Sequence, residues 1–492
     1  MALGNIPNDI YTPLVFIDID NSEALSGTPA LVQKILVIGQ QLPTALSTPL
    51  KITRIGTSES EADALYGKGS MLSIMLQRLR KANSYTDVYA LNVADFGGTA
   101  AKGEITVTAS TAKAGVIGLL IAGTSVQVTV KEGDAASAIT TAIINAVNEN
   151  TSLPVTAALK DAETTVVELT CKWTGQTSND IDLRHSYYDG ETLPTGVTIA
   201  FTEFSGGAGT PDMSEVIAAI PDEWYNHIAM PFNDTQSMNA LRDELVSRYG
   251  PLKMIEGIAY TAFRGTFAET GSYGDDRNDY LFTCMGTNSS PHAPWEWAAS
   301  YCGIAAYQLG IDPARPLQTL VLPGILPPAK ESVWDQTERN LLLHDGIATY
   351  TRTPGGECAI EREVTMYNVN TYGDPDPSYL DITTPATLGY LRYSLRVMVT
   401  NRYPRHKLAG DDVLPKLNPG QPVVTPKLMR NAILELADTD WVPNGLVEDF
   451  DGFKETLSVY RDDSDVNRLN CVFKPDLVNQ LRVFAALMQY KL

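Results

Sequence analysis

Positive charge is in short supply. Against 58 Asp and Glu stand only 37 Lys and Arg, for a formal net charge of −21. A surface that neutralises phosphates needs an excess of base, so direct nucleic-acid binding is not expected. Self-repulsion of this sign keeps a protein soluble at high concentration. Cysteine is scarce as well. Cys171, Cys284, Cys302, Cys358 and Cys471 are odd in number and widely spaced, with no C-x-x-C. That pattern argues against a disulfide framework or zinc ribbon and points to free thiols in a reducing compartment. No apolar run is long enough to span a bilayer, so membrane insertion is not expected. The opening "MALGNIPNDIYTP" lacks a basic region followed by an apolar one, and no signal peptide is read there. What remains is an ordinary globular mix, 44% hydrophobic and 19% charged, long enough at 492 residues for several domains.

Catalytic signatures are missing too. There is no H-E-x-x-H, G-x-S-x-G or G-x-x-x-x-G-K-[ST]. "YGKGSM" (66–71) lacks the upstream glycine of a phosphate loop and reads as a break in a helix. The five histidines, His185, His227, His292, His344 and His406, are scattered, and no metal-ligand pattern is read among them. His227 sits in an apolar run and reads as a hydrogen-bonded core residue. Asp18 and Asp20 read as a solvated strand face. No enzyme activity, cofactor or metal is expected.

Ordered structure is written clearly along the chain. "DIYTPLVFIDIDNSEA" alternates Val15, Ile17 and Ile19 with Phe16, Asp18 and Asp20, an extended strand that Pro13 suits to an edge or an arm. "KILVIG" (34–39) is a buried-strand run. The next helix opens with Ser58 and Glu61 at capping-box spacing, and Leu72, Met75, Leu76 and Leu79 follow at helical spacing. "YTDVYALNV" (85–93) is the next strand. Strand, helix, strand predicts a right-handed crossover in a largely parallel sheet.

Glycine-rich joints at "ADFGGTAAKG" and "FSGGAGTPD" bracket a change of composition. Between them lie period-2 strands rich in Val and Thr, with one helix for which Asp134 is the expected N-cap. Residues 97–209 thus read as an α+β domain inserted into a host domain. The host pattern resumes with strands at "YNHIAMPF" and "LKMIEGIAYTAF". Its helices include one ended by Gly250, one running from Pro294 with Gly310 past its end, and "WDQTERNLLLHDG". A hairpin turns at Pro354-Gly355-Gly356. In its second strand Glu361 and Glu363 fall on one face and Arg362 on the other. A smaller C-terminal unit follows from 395, with "TPKLMRNAILELADTD" helical and "FKETLSVYRD" and "RLNCVF" as strands. Its turn "YPRHKLAGDD" places Arg405 and Lys407 before Asp411 and Asp412.

The chain ends without a polar tail. In "VNQLRVFAALMQYKL", Leu477, Leu481, Phe484 and Met488 line a helix face, while Leu481, Val483, Ala485 and Leu487 line a strand face. Periodicity alone leaves both open.

With these residues in view, the chain resembles the Mu-like contractile-tail sheath proteins of bacteriophages. The resemblance is carried by "TERNLLLHDGIATY", "GGECAIEREVTMY", "PSYLDITTPATLGYLRYSLR", "YPRHKLAGDD", "GLVEDFDGFKETLSVYRDDSDVNRLNCVF" and "PDLVNQLRVFAALMQYKL", in that order. The inserted module, with "AGTSVQVTVKEGDAASAITTAIINAVN", looks like the insertion domain of the same group. The resemblance implies an α/β sheath core of subtilisin-like topology without catalysis, a β-rich inserted α+β domain, a small C-terminal α+β domain and extended arms at both ends. The implied division is 1–22 for the N-terminal arm, 23–96 with 210–394 for the core, 97–209 for the insertion, 395–470 for the C-terminal domain and 471–492 for the C-terminal arm.

It further implies a virion component, assembled in the host cytoplasm, that polymerises with itself as stacked hexameric rings around a tail tube. Baseplate and tail terminator proteins are the other implied partners. Contraction of that polymer would drive the tube through the host envelope. The apolar ends then become strands donated to neighbouring subunits, and the strand reading of the last fifteen residues is preferred. Val15, Ile17, Ile19, Leu481, Val483, Ala485 and Leu487 are the expected strand contacts. Glu361, Arg362, Glu363, Arg405, Lys407, Asp411 and Asp412 are the candidate interface charges. Two other readings are a different tail or baseplate protein, and a hydrolase on a subtilisin-like core. The hydrolase would need a Ser, His and Asp in register, which no motif supplies.

Overall fold

The run at 34–39 becomes an interior strand of the largest sheet. In the computed structural model, which describes residues 28, 30–161, 163–418 and 420–491, β1 (Lys34–Gln40) is buried at every position but the first. After β2 (Ile52–Ile55), α1 (Glu59–Tyr66) and α2 (Met71–Ala82), β3 (Asp87–Val93) lies parallel to β1, pairing Lys34 with Asp87 through Gln40 with Val93. The expected parallel pairing is present. The short β2, not anticipated, runs antiparallel to β3. "YGKGSM" does break the helix: Gly67 and Gly69 take φ of +90° and +77°, a region open to glycine. Ser70 then caps α2 by accepting the Ser73 N–H. The Ser58–Glu61 capping box does not form. Glu61 accepts the Gly56 N–H at 2.8 Å instead, and the Ser58 side chain makes no cap bond.

Between the glycine-rich joints run β4 (Lys102–Ala109), β5 (Gly115–Ile121), β6 (Thr124–Val130), α3 (Ala136–Glu149), β7 (Val155–Lys160), β8 (Glu163–Cys171), β9 (Leu183–His185) and β10 (Val197–Ser205). They form a four-stranded sheet in the order β10-β4-β8-β7 and a three-stranded one in the order β6-β5-β9. Ile139, Ile143 and Val147 of α3 are buried. Ala135, not Asp134, occupies the N-cap of α3, and the Asp134 carboxylate accepts the Lys131 N–H.

The chain then returns through α4 (Met213–Ala218), β11 (His227–Ala229), α5 (Thr235–Tyr249), β12 (Ile258–Phe263), α6 (Phe267–Asp275), β13 (Phe282–Gly286), α7 (Pro294–Ile311), α8 (Gln336–His344), β14 (Ile347–Arg352) and β15 (Cys358–Arg362). The eight strands are ordered β15-β14-β13-β12-β11-β1-β3-β2. Pairing is parallel from β14 to β3 and antiparallel at the two edges. Helix α7, with 13 buried residues, is buried nearly all round, as a central helix must be. It continues through Gly310 to Ile311 and is capped by Asp312, one turn's detail that the glycine obscured.

The last stretch holds α9 (Thr383–Arg402), β16 (Lys407–Leu408), β17 (Val423–Val424), α10 (Pro426–Leu436), β18 (Val447–Glu448), α11 (Phe450–Thr456), β19 (Ser458–Arg461), β20 (Leu469–Val472) and β21 (Asp476–Leu477). Three two-stranded ladders, β16–β17, β18–β21 and β19–β20, are its only sheets among the described residues. "FKETLSVYRD" is half helix and half strand, because Asp449 caps α11 by accepting the Gly452 N–H at 3.1 Å. Compact packing separates Val32–Gly389 from a second unit of Tyr390–Leu492 and the described residues before Val32. The cut falls inside α9, five residues before the expected 395. The inserted strands and the main sheet lie in the same unit and share one apolar core.

Candidate assembly site

The C-terminal segment has the most unusual surface. Beyond β21, residues 478–491 form no helix and no ladder. Leu481, Val483, Phe484, Leu487, Met488 and Tyr490 are 73–88% exposed. Ala485 is exposed as well. Leu477 is half-buried in β21, where it pairs with Val447; from Leu481 on, the apolar residues of both the helix-face and the strand-face sets are exposed. Val15, Ile17 and Ile19 lie outside the described residues.

The hairpin charges behave differently from the expected alternation. Thr349 pairs with Arg362 and Tyr350 with Ile360, so Glu361 is the extra residue of a bulge in β15. Glu361 then accepts from Arg339 Nε at 2.8 Å and from Thr349 Oγ1 at 2.9 Å. Arg362 makes a two-pronged pair with Asp381, at 2.9 and 3.0 Å. Hydrogen bonding to Asp381 holds the Arg362 guanidinium above its usual range. Glu363 is fully buried and offers no charge at the surface of this chain. Because Glu361 is an extra residue in the ladder, the simple alternation that put Glu361 and Glu363 on one face does not carry past it.

The turn of the smaller unit keeps its charges outside. Arg405, Lys407, Asp411 and Asp412 are all exposed. Lys407 donates to Gln421 Oε1 at 3.1 Å. Asp411 accepts the backbone N–H of Lys427 at 3.0 Å, which sets a carboxylate at the N-terminus of α10, where helix N–H groups point outward.

Two buried polar sites join the inserted strands to the main sheet. At the first, Glu296 in the opening turn of α7 receives Arg78 Nε at 2.7 Å and faces His292 Nδ1 at 3.1 Å. Burial pushes the Glu296 carboxyl up, but His292 and Arg78 outweigh it and hold it at about 2. The tip of the β5–β6 hairpin closes over this group. Gly123 has φ +69°, and a Cβ there would meet the His292 ring at 2.2 Å. At the second, Asp182, 3% exposed, pairs with Arg184 at 2.5 Å and with Arg264, while Arg184 also donates to Ser289 O at 2.9 Å. Trp173 packs edge-on against Trp295 with ring centroids 5.8 Å apart. The His292–Glu296 spacing of four is the one sequence signal for this site, and it is weak because His292 precedes the helix that carries Glu296.

His227 is a core residue as expected. It bonds Tyr260 OH and Gln33 Oε1, each at 3.0 Å, and burial lowers its pKa to about 3. None of the described cysteines is in a disulfide. Cys171, Cys284, Cys302 and Cys358 are buried and Cys471 is exposed. Among the described residues no group of three or more His, Cys, Asp and Glu is placed to hold a metal, and no helix is long and apolar enough to cross a membrane.

Comparison with known proteins agrees along the whole chain. Residues 97–198 match the phage tail sheath protein beta-sandwich domain, 206–366 the phage tail sheath protein central domain, and 374–491 the phage tail sheath C-terminal domain. The Mu-like prophage FluMu tail sheath protein of Haemophilus influenzae is 40% identical over 491 residues, covering 100% of this chain and 99% of that one. Among solved structures, the sheath tail protein of Desulfitobacterium hafniense is similar at 13% identity and a TM-score of 0.48, over 94% of this chain and 100% of that one. The helical sheath of the anti-feeding prophage in its contracted state is similar at 12% identity and a TM-score of 0.47, over 98% of this chain and 99% of the other. With a full-length relative at this identity and three sheath domains matched in order, the chain belongs to the Mu-like phage tail sheath proteins.

Proposed function

We propose that this chain polymerises as stacked six-membered rings around a tail tube, and that contraction of the polymer drives the tube through the host envelope. As a tail sheath protein it is a structural component of the virion and not an enzyme. The observation that carries the assembly reading is the uncovered C-terminal segment. Six large apolar side chains between Leu481 and Tyr490 stand in water. Burying each is worth about 1.5–3 kcal/mol, so a neighbour that covers them gains on the order of 10 kcal/mol before ordering costs. A strand added to an open ladder such as β18–β21 or β19–β20 supplies main-chain hydrogen bonds as well. Head-to-tail contacts of this kind generate helical polymers rather than closed dimers.

In this reading, residues 1–22 and 471–492 are arms that bridge neighbours. The main sheet, of subtilisin-like topology without catalysis, forms the core, and residues 97–209 face outward. The exposed charges Arg405, Lys407, Asp411 and Asp412 lie at subunit contacts. The tail tube, baseplate and tail terminator proteins are the other partners, and assembly takes place in the host cytoplasm. Energy for contraction is stored in the extended lattice at assembly, with no nucleotide consumed.

Truncation after Leu477 tests the reading. The shortened chain is expected to keep the circular dichroism of the full chain, because the helices and ladders all lie before residue 478. It is expected to form no tubes by electron microscopy. Normal tubes from the truncated chain would overturn strand donation.

A further inference from the structure

Helix α10 does not stop cleanly. It runs into a π-helical turn, Ala437–Trp441. Such wide turns are uncommon and gather at functional positions, because they re-aim one side chain without ending the helix. Here the turn carries Asp440 inward, to 8% exposure. The next residue, Trp441, is fully buried and donates its indole N–H to Ser394 Oγ at 2.8 Å, which fixes the turn in place.

Three donors converge on the Asp440 carboxylate. Tyr390 OH lies 3.1 Å from one oxygen and 3.3 Å from the other. Asn444 Nδ2 donates at 2.8 Å from one turn further along. The shortest bond comes from Thr28 Oγ1, at 2.5 Å, across 412 positions of sequence. Tyr390 and Asn444 belong to the same stretch of chain as Asp440. Thr28 comes from the other end of the protein, directly behind the segment read above as an arm.

We propose that Asp440 is a positioning residue for assembly: it anchors the root of the N-terminal arm, through Thr28, to the unit from which the C-terminal segment also departs. Both arms then leave from one body. A pull on the N-terminal arm by a neighbour is borne by the Thr28–Asp440 bond and passed to the unit of α10. A bond between a hydroxyl and an ionised carboxylate is the strong kind, and its loss weakens such an anchor by about tenfold to a hundredfold. The assembly consequence rests on the arm reading given above; the anchor itself does not.

Full-length T28V, T28S and D440N chains test it. Limited proteolysis of the free chain reads the anchor directly. T28V and D440N are expected to be cut near residue 28 at least tenfold faster than wild type, and T28S, which keeps the hydroxyl, at the wild-type rate. T28V leaves the Tyr390 and Asn444 bonds in place, so it separates loss of the anchor from general unfolding. Electron microscopy reads the consequence: T28V is expected to need about tenfold more protein to form tubes, with T28S restored to normal. Wild-type resistance of T28V to proteolysis would overturn the anchor. Faster cutting with unchanged tube formation would confine it to the free chain and overturn its role in assembly. The truncation after Leu477 reports separately. Should that chain assemble normally while T28V is cut faster, the arm reading fails and the anchor stands.

Discussion

Replacing Glu296 by Gln keeps the shape of the side chain and removes its charge. The carboxylate is 1% exposed and sits between Arg78 and His292. In the folded chain its pKa is held at about 2, against an ordinary value of 4.5. At 1.36 kcal/mol for each tenfold change in proton affinity, that difference amounts to about 3 kcal/mol at pH 7. The figure agrees with the roughly 3–5 kcal/mol lost when one partner of a buried ion pair is removed. The sign follows from the depressed pKa. The stabilisation is complete above about 4.5 and is lost as pH falls toward 2. The gap between wild type and E296Q therefore narrows from about 3 kcal/mol at pH 7 to about 2 at pH 3.5. Urea unfolding followed by tryptophan fluorescence is the suitable assay, because Trp295 lies in the same helix and packs on Trp173. An E296Q chain within about 0.5 kcal/mol of wild type at pH 7 would refute the reasoning, as would a gap that widens on acidification.

Gly123→Ala forces a side chain into positive φ and against the His292 ring, so it is expected to cost about 2 kcal/mol or more. Hydrogen exchange should then speed up in β5 and β6 well before the main sheet is affected. Uniform exchange across the chain would contradict a local role for this tip. Residues 97–209 expressed alone are expected to unfold cooperatively, since their two sheets and α3 form a packed set. They should also bind an apolar dye more than the full chain does, because Trp173 loses Trp295; an unfolded fragment would count against a separable module.

Long, regular signals were legible in the sequence, and local ones were not. The run at 34–39, the Pro294 helix and the Pro354-Gly355-Gly356 turn each carried a pattern strong enough to survive tertiary context. Helix α9 is not legible in the sequence. Its residues "TTPATLGYLRYSLRVMVTNR" open with Pro385 in the first turn and mix β-branched, aromatic and basic side chains, so no single face announces itself. Strand β2 has only four residues, too few for a period. Ser58 and Glu61 had capping-box spacing, yet Glu61 found the Gly56 N–H first. The boxes that do form are Thr266 with Glu269 and Asp335 with Glu338. The expected alternation of Glu361 and Glu363 is broken by the bulge at Glu361, and a bulge is a property of the pairing between two strands, invisible in either one. The exposed residues from Leu481 to Tyr490 are legible by composition alone, since a dense run of large apolar side chains calls for a cover whatever its conformation.

The uneven placement of the thiols has a practical consequence. Burial pushes the Cys171 thiol up to about 12 and raises those of Cys284, Cys302 and Cys358, so all four react slowly as well as being shielded. Cys471, in β20, is the one exposed cysteine among those described. A maleimide dye added to the native protein should therefore attach with a stoichiometry near one, without any engineered handle. It would report on the small unit a few residues before the apolar end begins. Reaction in dilute solution and protection in the polymer would turn this thiol into a native gauge of how far each subunit has been covered by the next.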